Sequence, residues 1–150
     1  MVYLNILMKR NDIIIIIMKE DEIIVQIQKI NSAFENLSIE RMEGLWKHEE
    51  GCIHPGWDLF TGWLAIRESW ITIFRNTEMI KFIITDTKVR VSDNLTVVVC
   101  LENIETLVNG EIVRLGVIAT NIFEQMENQW LLIYHHGSSI SNYIPPNISS

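Results

Sequence analysis

From Asn76 onward β-branched residues dominate the sequence, and three short segments interrupt them: Ser92-Asp93-Asn94, Asn109-Gly110 and Glu127-Asn128. Each has turn chemistry, because Asn, Asp and Gly tolerate the positive φ of a tight reversal. The spacing predicts four long antiparallel strands at about 79–91, 95–108, 111–125 and 130–138. A meander of this length has to bury at least one face, so the residues before it must supply a cover.

Those residues read as helices. Ile23, Ile27, Ile30, Phe34 and Leu37 recur at helical spacing behind Glu20, Asp21 and Glu22, acids that suit a helix N-terminus. This predicts a long amphipathic helix from Asp21. Ser38 is placed to cap a short second helix that turns Ile39 and Met42 inward and stops at Gly44. Thr61 is placed to cap a third helix, with Trp63, Ile66, Trp70 and Ile73 along one side. Between them, Gly51, Pro55 and Gly56 flank the apolar pair Cys52-Ile53, which predicts a short strand. The run from Ile13 to Met18 has no defined helical face and suits a strand or an added segment better.

The fold class is therefore α+β, a curved antiparallel sheet packed against N-terminal helices. The expected organisation is an N-terminal extension of uncertain structure (1–18), one domain (19–140) and a flexible tail around Pro145-Pro146 (141–150). A chain of 150 residues that is 48% hydrophobic holds one core but not comfortably two. In the strand at 95–108, one parity carries Val97, Val99 and Leu101 and the other Val98, Cys100 and Ile104. Both faces are apolar and both need cover, which predicts a homodimer formed through the sheet.

The formal charge of −7, with twelve scattered basic residues, leaves no positive stripe for phosphates, so neither nucleic acid nor an anionic membrane surface is an expected partner. The longest apolar run is far short of the roughly 20 residues that span a bilayer. Lys9 and Arg10 precede that run, but Asp12 interrupts it and no small-residue cleavage site follows, so a cytoplasmic chain is expected. The two cysteines, Cys52 and Cys100, lack metal-ligand spacing and read as small hydrophobes.

Several stretches together resemble the SnoaL-like family of the nuclear transport factor 2-like superfamily. They are Ile30-Asn31-Ser32-Ala33-Phe34, Leu45-Trp46, His54-Pro55-Gly56-Trp57, and Gly62-Trp63 leading to Ser69-Trp70. In the strands they are Cys100-Leu101-Glu102-Asn103, Ala119-Thr120-Asn121-Ile122-Phe123, and Trp130 through His135-His136-Gly137-Ser138. The resemblance covers about 21–138. It implies a cone whose helices close over a strongly curved sheet around a deep pocket, commonly in a dimer. Members include ketosteroid isomerase, scytalone dehydratase and polyketide cyclases, and also catalytically silent binding and assembly domains, so fold alone does not set function. The cyclases use an aspartate as general base, and no motif here matches it.

Four of the candidate residues are acid/base groups. His54, in the loop between helices and sheet, can exchange a proton near neutral pH or simply bond to backbone. His135 and His136 are neighbours on one strand and must point to opposite faces, so only one sees a pocket. His136 shares its face with Tyr134 and Ser138, His135 with Ile133 and Gly137. Glu102 is a carboxylate in the middle of an apolar strand, read either as a pocket acid with a raised pKa or as half of a structural salt bridge. Glu105, on the other parity, is expected to be solvated.

Candidate ligand-binding residues are Trp46, Trp57, Trp63 and Asn121. The tryptophans, Trp70 among them, can line an apolar cavity, although Trp63 and Trp70 at helical spacing also suit plain core. Asn121 can orient a ligand or satisfy a neighbour. Two functions follow. One is an isomerase, dehydratase or cyclase acting on a small apolar molecule through histidine and glutamate, with no metal or organic cofactor. The other is a non-catalytic ligand-binding or dimeric assembly module. An enzyme needs histidine and carboxylate at a shared open volume, and a module does not.

Overall fold

The computed structural model describes residues 2–49, 52–54 and 58–148, with side chains at 12–49 and 58–148. The elements in chain order are α1 (Val2–Glu35), α2 (Ile39–Glu43), β1 (Cys52–His54), β2 (Phe60–Thr61), α3 (Trp63–Arg75), β3 (Met79–Ser92), β4 (Leu95–Val108), β5 (Glu111–Met126) and β6 (Gln129–Ser139). They build one sheet in the order β2-β1-β6-β5-β4-β3, antiparallel throughout except where β1 runs parallel to β6.

The turn residues behave as their chemistry demands. Asp93, Asn109, Gly110 and Glu127 all take positive φ, and β4 runs between its two turns with the ends expected from sequence. Register shifts between Thr85 and Lys88 in β3, and between Ile122 and Phe123 opposite Leu132 and Tyr134, mark bulges that bend the sheet. The bend gives the meander a concave face, and the helices fill it.

The filling is hydrophobic and aromatic. Ile23, Ile27 and Ala33 of α1, Met42 of α2, and Trp63, Ile66, Trp70 and Phe74 of α3 meet Val98, Phe123, Trp130 and Leu132 of the sheet. Trp46 joins this core because its chain segment runs beside β6, where Leu132 N–H donates to the Leu45 carbonyl. Phe34 is the hub of an aromatic cluster, its ring meeting Trp70, Phe74 and Phe82 edge-on at 5.1–5.4 Å. Glu35, at the end of α1, accepts from the Phe82 amide at 3.0 Å and so covers part of the sheet's edge strand.

Four features depart from the sequence reading. First, α1 continues back to Val2, so the Ile13 to Met18 run is helical and not a strand. No glycine or proline lies between Lys9 and Glu35, and extending an existing helix costs isoleucine only a few tenths of a kcal/mol per residue. Second, the cap of α3 is Gly62 rather than Thr61. Thr61 belongs to β2, and the reversal into α3 uses φ 80° and ψ 150°, a conformation open to glycine. Ser38 does cap α2 as expected, its Oγ accepting from the Arg41 amide.

Third, residues 140–148 do not fray but cross the outer face of β4 and β5 as a strap. The Ile140 amide donates to the Gly116 carbonyl, the Tyr143 hydroxyl donates to Asn103 Oδ1 at 2.7 Å, and Arg114 Nη2 donates to Asn147 Oδ1 at 3.0 Å. Gly116 makes this possible, since a Cβ there would overlap the Tyr143 ring. Fourth, Glu105 is not solvated. It is 0% exposed, and its Oε2 accepts from Arg114 Nε at 2.9 Å. The outer face is thus divided: Asn103 and Glu105 are buried, while Val97 and Val99 remain 37% exposed.

Candidate active site

Three successive rows of the sheet's register place the chemistry on the concave face. Glu102 lies level with Val117 and Ser139, Cys100 with Ala119 and Gly137, and Val98 with Asn121 and His135. The middle row consists of small residues. It forms a floor, with Glu102 on β4 at one side and the Asn121–His135 pair on β5 and β6 at the other. Phe34 of α1, Trp70 and Ile73 of α3, and Phe82 of β3 close over it, leaving a cavity of about 580 Å³ lined by both Glu102 and His135. A smaller space of about 40 Å³ continues inward between α1 and the sheet, and Glu102, Asn121 and His135 line this too.

The Glu102 carboxyl makes no hydrogen bond or ion pair with any described residue. Burial alone drives its pKa from 4.5 up to about 7, because the charged form loses water and gains no partner. At neutral pH it populates both protonation states. His135 moves the other way, from 6.5 down to about 4, chiefly through burial and then through the nearby positive charge of His136. It is therefore neutral at pH 7. Its Nδ1 lies 2.6 Å from Asn121 Oδ1. With the amide oxygen as acceptor, Nδ1 carries the proton and Nε2 is left with its lone pair.

Gly137 keeps the space beside that lone pair open, since a Cβ there would stand 3.8 Å from Nε2 and 3.1 Å from Val117 Cγ1. Burial and then the Glu102 charge push the Cys100 thiol up to about 12, so it stays protonated and serves as floor rather than nucleophile. Among the described residues no group of three or more His, Cys, Asp or Glu side chains could hold a metal ion.

The structure brings together three of the eight residues singled out from sequence: Glu102, His135 and Asn121. His136, taken as a possible pocket base, lies on the outer parity, its Nε2 3.4 Å from Ser138 Oγ. This corrects that reading: strand alternation gives the cavity to His135. Trp46 and Trp63 do not line the cavity either. Trp46 is packed in the core beside β6, and Trp63 stacks on His48 at 4.5 Å with its Nε1–H donated to Glu43 Oε1. The backbone of His54 lies in β1, level with His136, but its side chain and the whole of Trp57 fall outside the described residues. Sequence reasoning passed over Phe34, Phe82 and Gly137. Only the alternation His135-x-Gly137 carried a local sign, a small residue on the same face as the histidine.

The fold and its cavity define a known class. The chain belongs to the SnoaL-like domain family, whose profile matches residues 24–142. Among solved structures it is similar to a candidate dehydratase of the NTF2-like family from Streptomyces avermitilis, at 27% identity and a TM-score of 0.76 over 81% of this chain and 95% of that one. An NTF2-like superfamily protein from Salmonella enterica serovar Typhimurium superposes with a TM-score of 0.75 at 15% identity, over 86% and 92% of the two chains. A candidate calcium/calmodulin-dependent protein kinase II association domain from Xanthomonas campestris does so with a TM-score of 0.72 at 18% identity, over 81% and 88%. The last two share the fold. No curated protein matches the sequence. Among the described residues no helix is long and apolar enough to cross a membrane.

Proposed function

We propose that this protein catalyses a cofactor-free proton transfer of the isomerase, dehydratase or cyclase kind on a small, largely apolar molecule. The observation that carries this reading is an unpartnered Glu102 carboxyl and a neutral, Asn121-held His135 facing one cavity across a floor of Cys100, Ala119 and Gly137. Glu102, with a pKa of about 7, is a stronger base than an ordinary carboxylate and, once protonated, a competent acid at the same pH. It takes a proton from substrate carbon and returns it, to carbon in an isomerisation or to a departing hydroxyl in a dehydration. His135 accepts a hydrogen bond at Nε2 from a substrate hydroxyl, and Asn121 fixes the ring that does so. Phe34, Trp70 and Phe82 supply apolar contact and exclude water. The similarity to the candidate dehydratase from Streptomyces avermitilis is consistent with this chemistry.

The test is a 13C-NMR titration of the glutamate carboxyls in the wild-type chain and in Glu102→Gln, with turnover measured on a panel of cyclic ketones and β-hydroxy ketones. A carboxyl titrating near 7 that vanishes in the variant together with turnover supports the reading. A Glu102 that titrates near 4.5 removes its basis.

A second reading is a dimeric assembly or binding module. It is favoured by the half-exposed Val97, Val99 and Ile118 on the outer face of the sheet, where a second copy can pack, and by the likeness in fold to the candidate association domain from Xanthomonas campestris. The acid/base site and a sheet-mediated dimer are compatible.

A further inference from the structure

The cavity changes character along its length. On the concave face its innermost row is Val98, Asn121 and His135, and two rows further along β4 stand Glu102, Val117 and Ser139. One row beyond these, Phe82, Ile104 and Leu115 lie level with one another, and Ile73 of α3 lines the same space. The hydrogen-bonding side chains Glu102, Asn121 and His135 are thus gathered toward the inner end. The outer stretch is walled by aliphatic and aromatic carbon, with the exposed Ser138 and Ser139 at the β6 rim.

The large and the small space meet where Phe34, Trp70, Phe82, Glu102 and His135 line both. The inner space of about 40 Å³ admits a water-sized oxygen group, which needs roughly 10–15 Å³. The outer one, about 580 Å³, falls in the range that holds a drug-sized molecule. Among the described residues lining either space there is no lysine or arginine. A carboxylate or phosphate entering head first would therefore lose its hydration and meet Glu102 with no cation to offset the repulsion. His135 supplies no charge, because it is neutral at pH 7. A polar body would fare no better, since the Phe82, Ile104 and Leu115 row offers it no side-chain partner.

We propose that the ligand of this cavity is an uncharged amphiphile with a single oxygenated end, bound oxygen-inward against Glu102 and His135 with its hydrocarbon tail running out past Phe82, Ile104 and Leu115. This deepens the reading of the cavity as a proton-transfer site, and rests on that reading only for the claim that the inward end is the one that reacts. It makes Leu115 a determinant of tail length, and it excludes acids and phosphates from the inner end.

Calorimetric titration of the full chain at pH 7 with linear methyl ketones, pentanone to decanone, and with the fatty acids of equal length tests it. Ketone affinity should climb about three- to fourfold per methylene, and each acid should bind about tenfold or more weakly than its ketone. Leu115→Trp narrows the outer row, so it should weaken decanone about tenfold and leave pentanone within about twofold. In the wild-type chain, intermolecular NOEs should join the carbonyl-side methyl to His135 and Gly137 and the terminal methyl to Leu115, which reads the orientation even if the tryptophan variant does not fold. Acids bound as tightly as ketones, affinity independent of length, or NOEs with the two ends exchanged would each overturn the proposal. The carboxyl titration of Glu102 decides the chemistry separately. A Glu102 titrating near 4.5 beside the expected ketone series would remove the proton-transfer reading and support the ligand class.

Discussion

Glu102 stands on the same strand face as Val98 and Cys100, and what makes it distinctive is the absence of any described partner, combined with a cavity in front of it. A carboxylate in that position is costly as an anion, and the cost is expressed as a pKa near 7. On the proposed chemistry, Glu102→Gln removes, among the described residues lining the cavity, the group poised to exchange a proton at neutral pH. Turnover should fall by about 100-fold or more, and the limb of the pH–rate profile near 7 should vanish while substrate affinity is largely kept. A variant that retains its rate would transfer the chemistry to another residue. Asn121→Leu acts on the opposite side. It strips the acceptor from the buried His135 Nδ1–H, which should cost about 1–3 kcal/mol in urea unfolding at pH 7 and let 15N shifts report a mixed tautomer. That Glu102 is a carboxylate in the middle of an apolar strand was legible in the sequence. The choice between His135 and His136 was not, because it depends on which face of β6 the helices cover. Glu105 was misread for a related reason: its burial is made by Arg114 and by a strap some forty residues downstream, and strand parity carries no trace of either.

At the scale of elements, local signals were strong wherever a turn or cap is built from its own residues. β4 was readable to its ends because Asp93 and Asn109-Gly110 are turn chemistry, and α2 because Ser38 bonds the amide of Arg41. Elements held by distant parts of the chain were not readable. The Ile13 to Met18 segment looks like a strand in isolation and is helical because α1 propagates into it. The residues after Ser139 look like a tail and are held by Asn103, Arg114 and Gly116. The strap makes its own prediction. Gly116→Ala places a Cβ inside the Tyr143 ring, so the strap must lift, losing the Tyr143–Asn103 bond and exposing Pro145. The expected cost is about 1–3 kcal/mol, against about 1 kcal/mol for Tyr143→Phe, which loses the bond but keeps the ring. Hydrogen exchange at the Ile140 amide should accelerate in Gly116→Ala and stay near wild type in Tyr143→Phe. In a Tyr143→Ala background the glycine substitution should cost little further, since the clash it creates has gone. Equal costs in both backgrounds would show that the strap and Gly116 are not coupled.

For the molecule as a whole, the two buried groups of the cavity act on stability in opposite senses, and the wild-type protein hides both effects. Glu102 has its pKa raised from 4.5 to about 7, so the folded state holds its proton more tightly than the unfolded chain does. Its contribution is fully present below pH 4.5 and is lost as the pH rises through 7. His135 has its pKa lowered from 6.5 to about 4, so the unfolded chain binds its proton more tightly. That contribution is fully present above pH 6.5 and is lost as the pH falls through 4. Between pH 4.5 and 6.5 the folded state holds one extra proton on Glu102 while the unfolded chain holds one extra on His135. The two slopes cancel, so this pair contributes no net pH dependence across that window. Removing either member unmasks the other. In Glu102→Gln, unfolding free energy measured in urea should climb as pH goes from 4 to 6.5 and then level off. In His135→Gln it should hold up to about pH 4.5 and decline through 7. The wild-type curve should lie between these shapes across the middle of the range. Because every other ionisable group is common to the three proteins, the differences between the curves isolate the cavity pair. Three parallel curves would mean that neither group is desolvated, and the case for a proton-transfer site built on this sheet would fall with them.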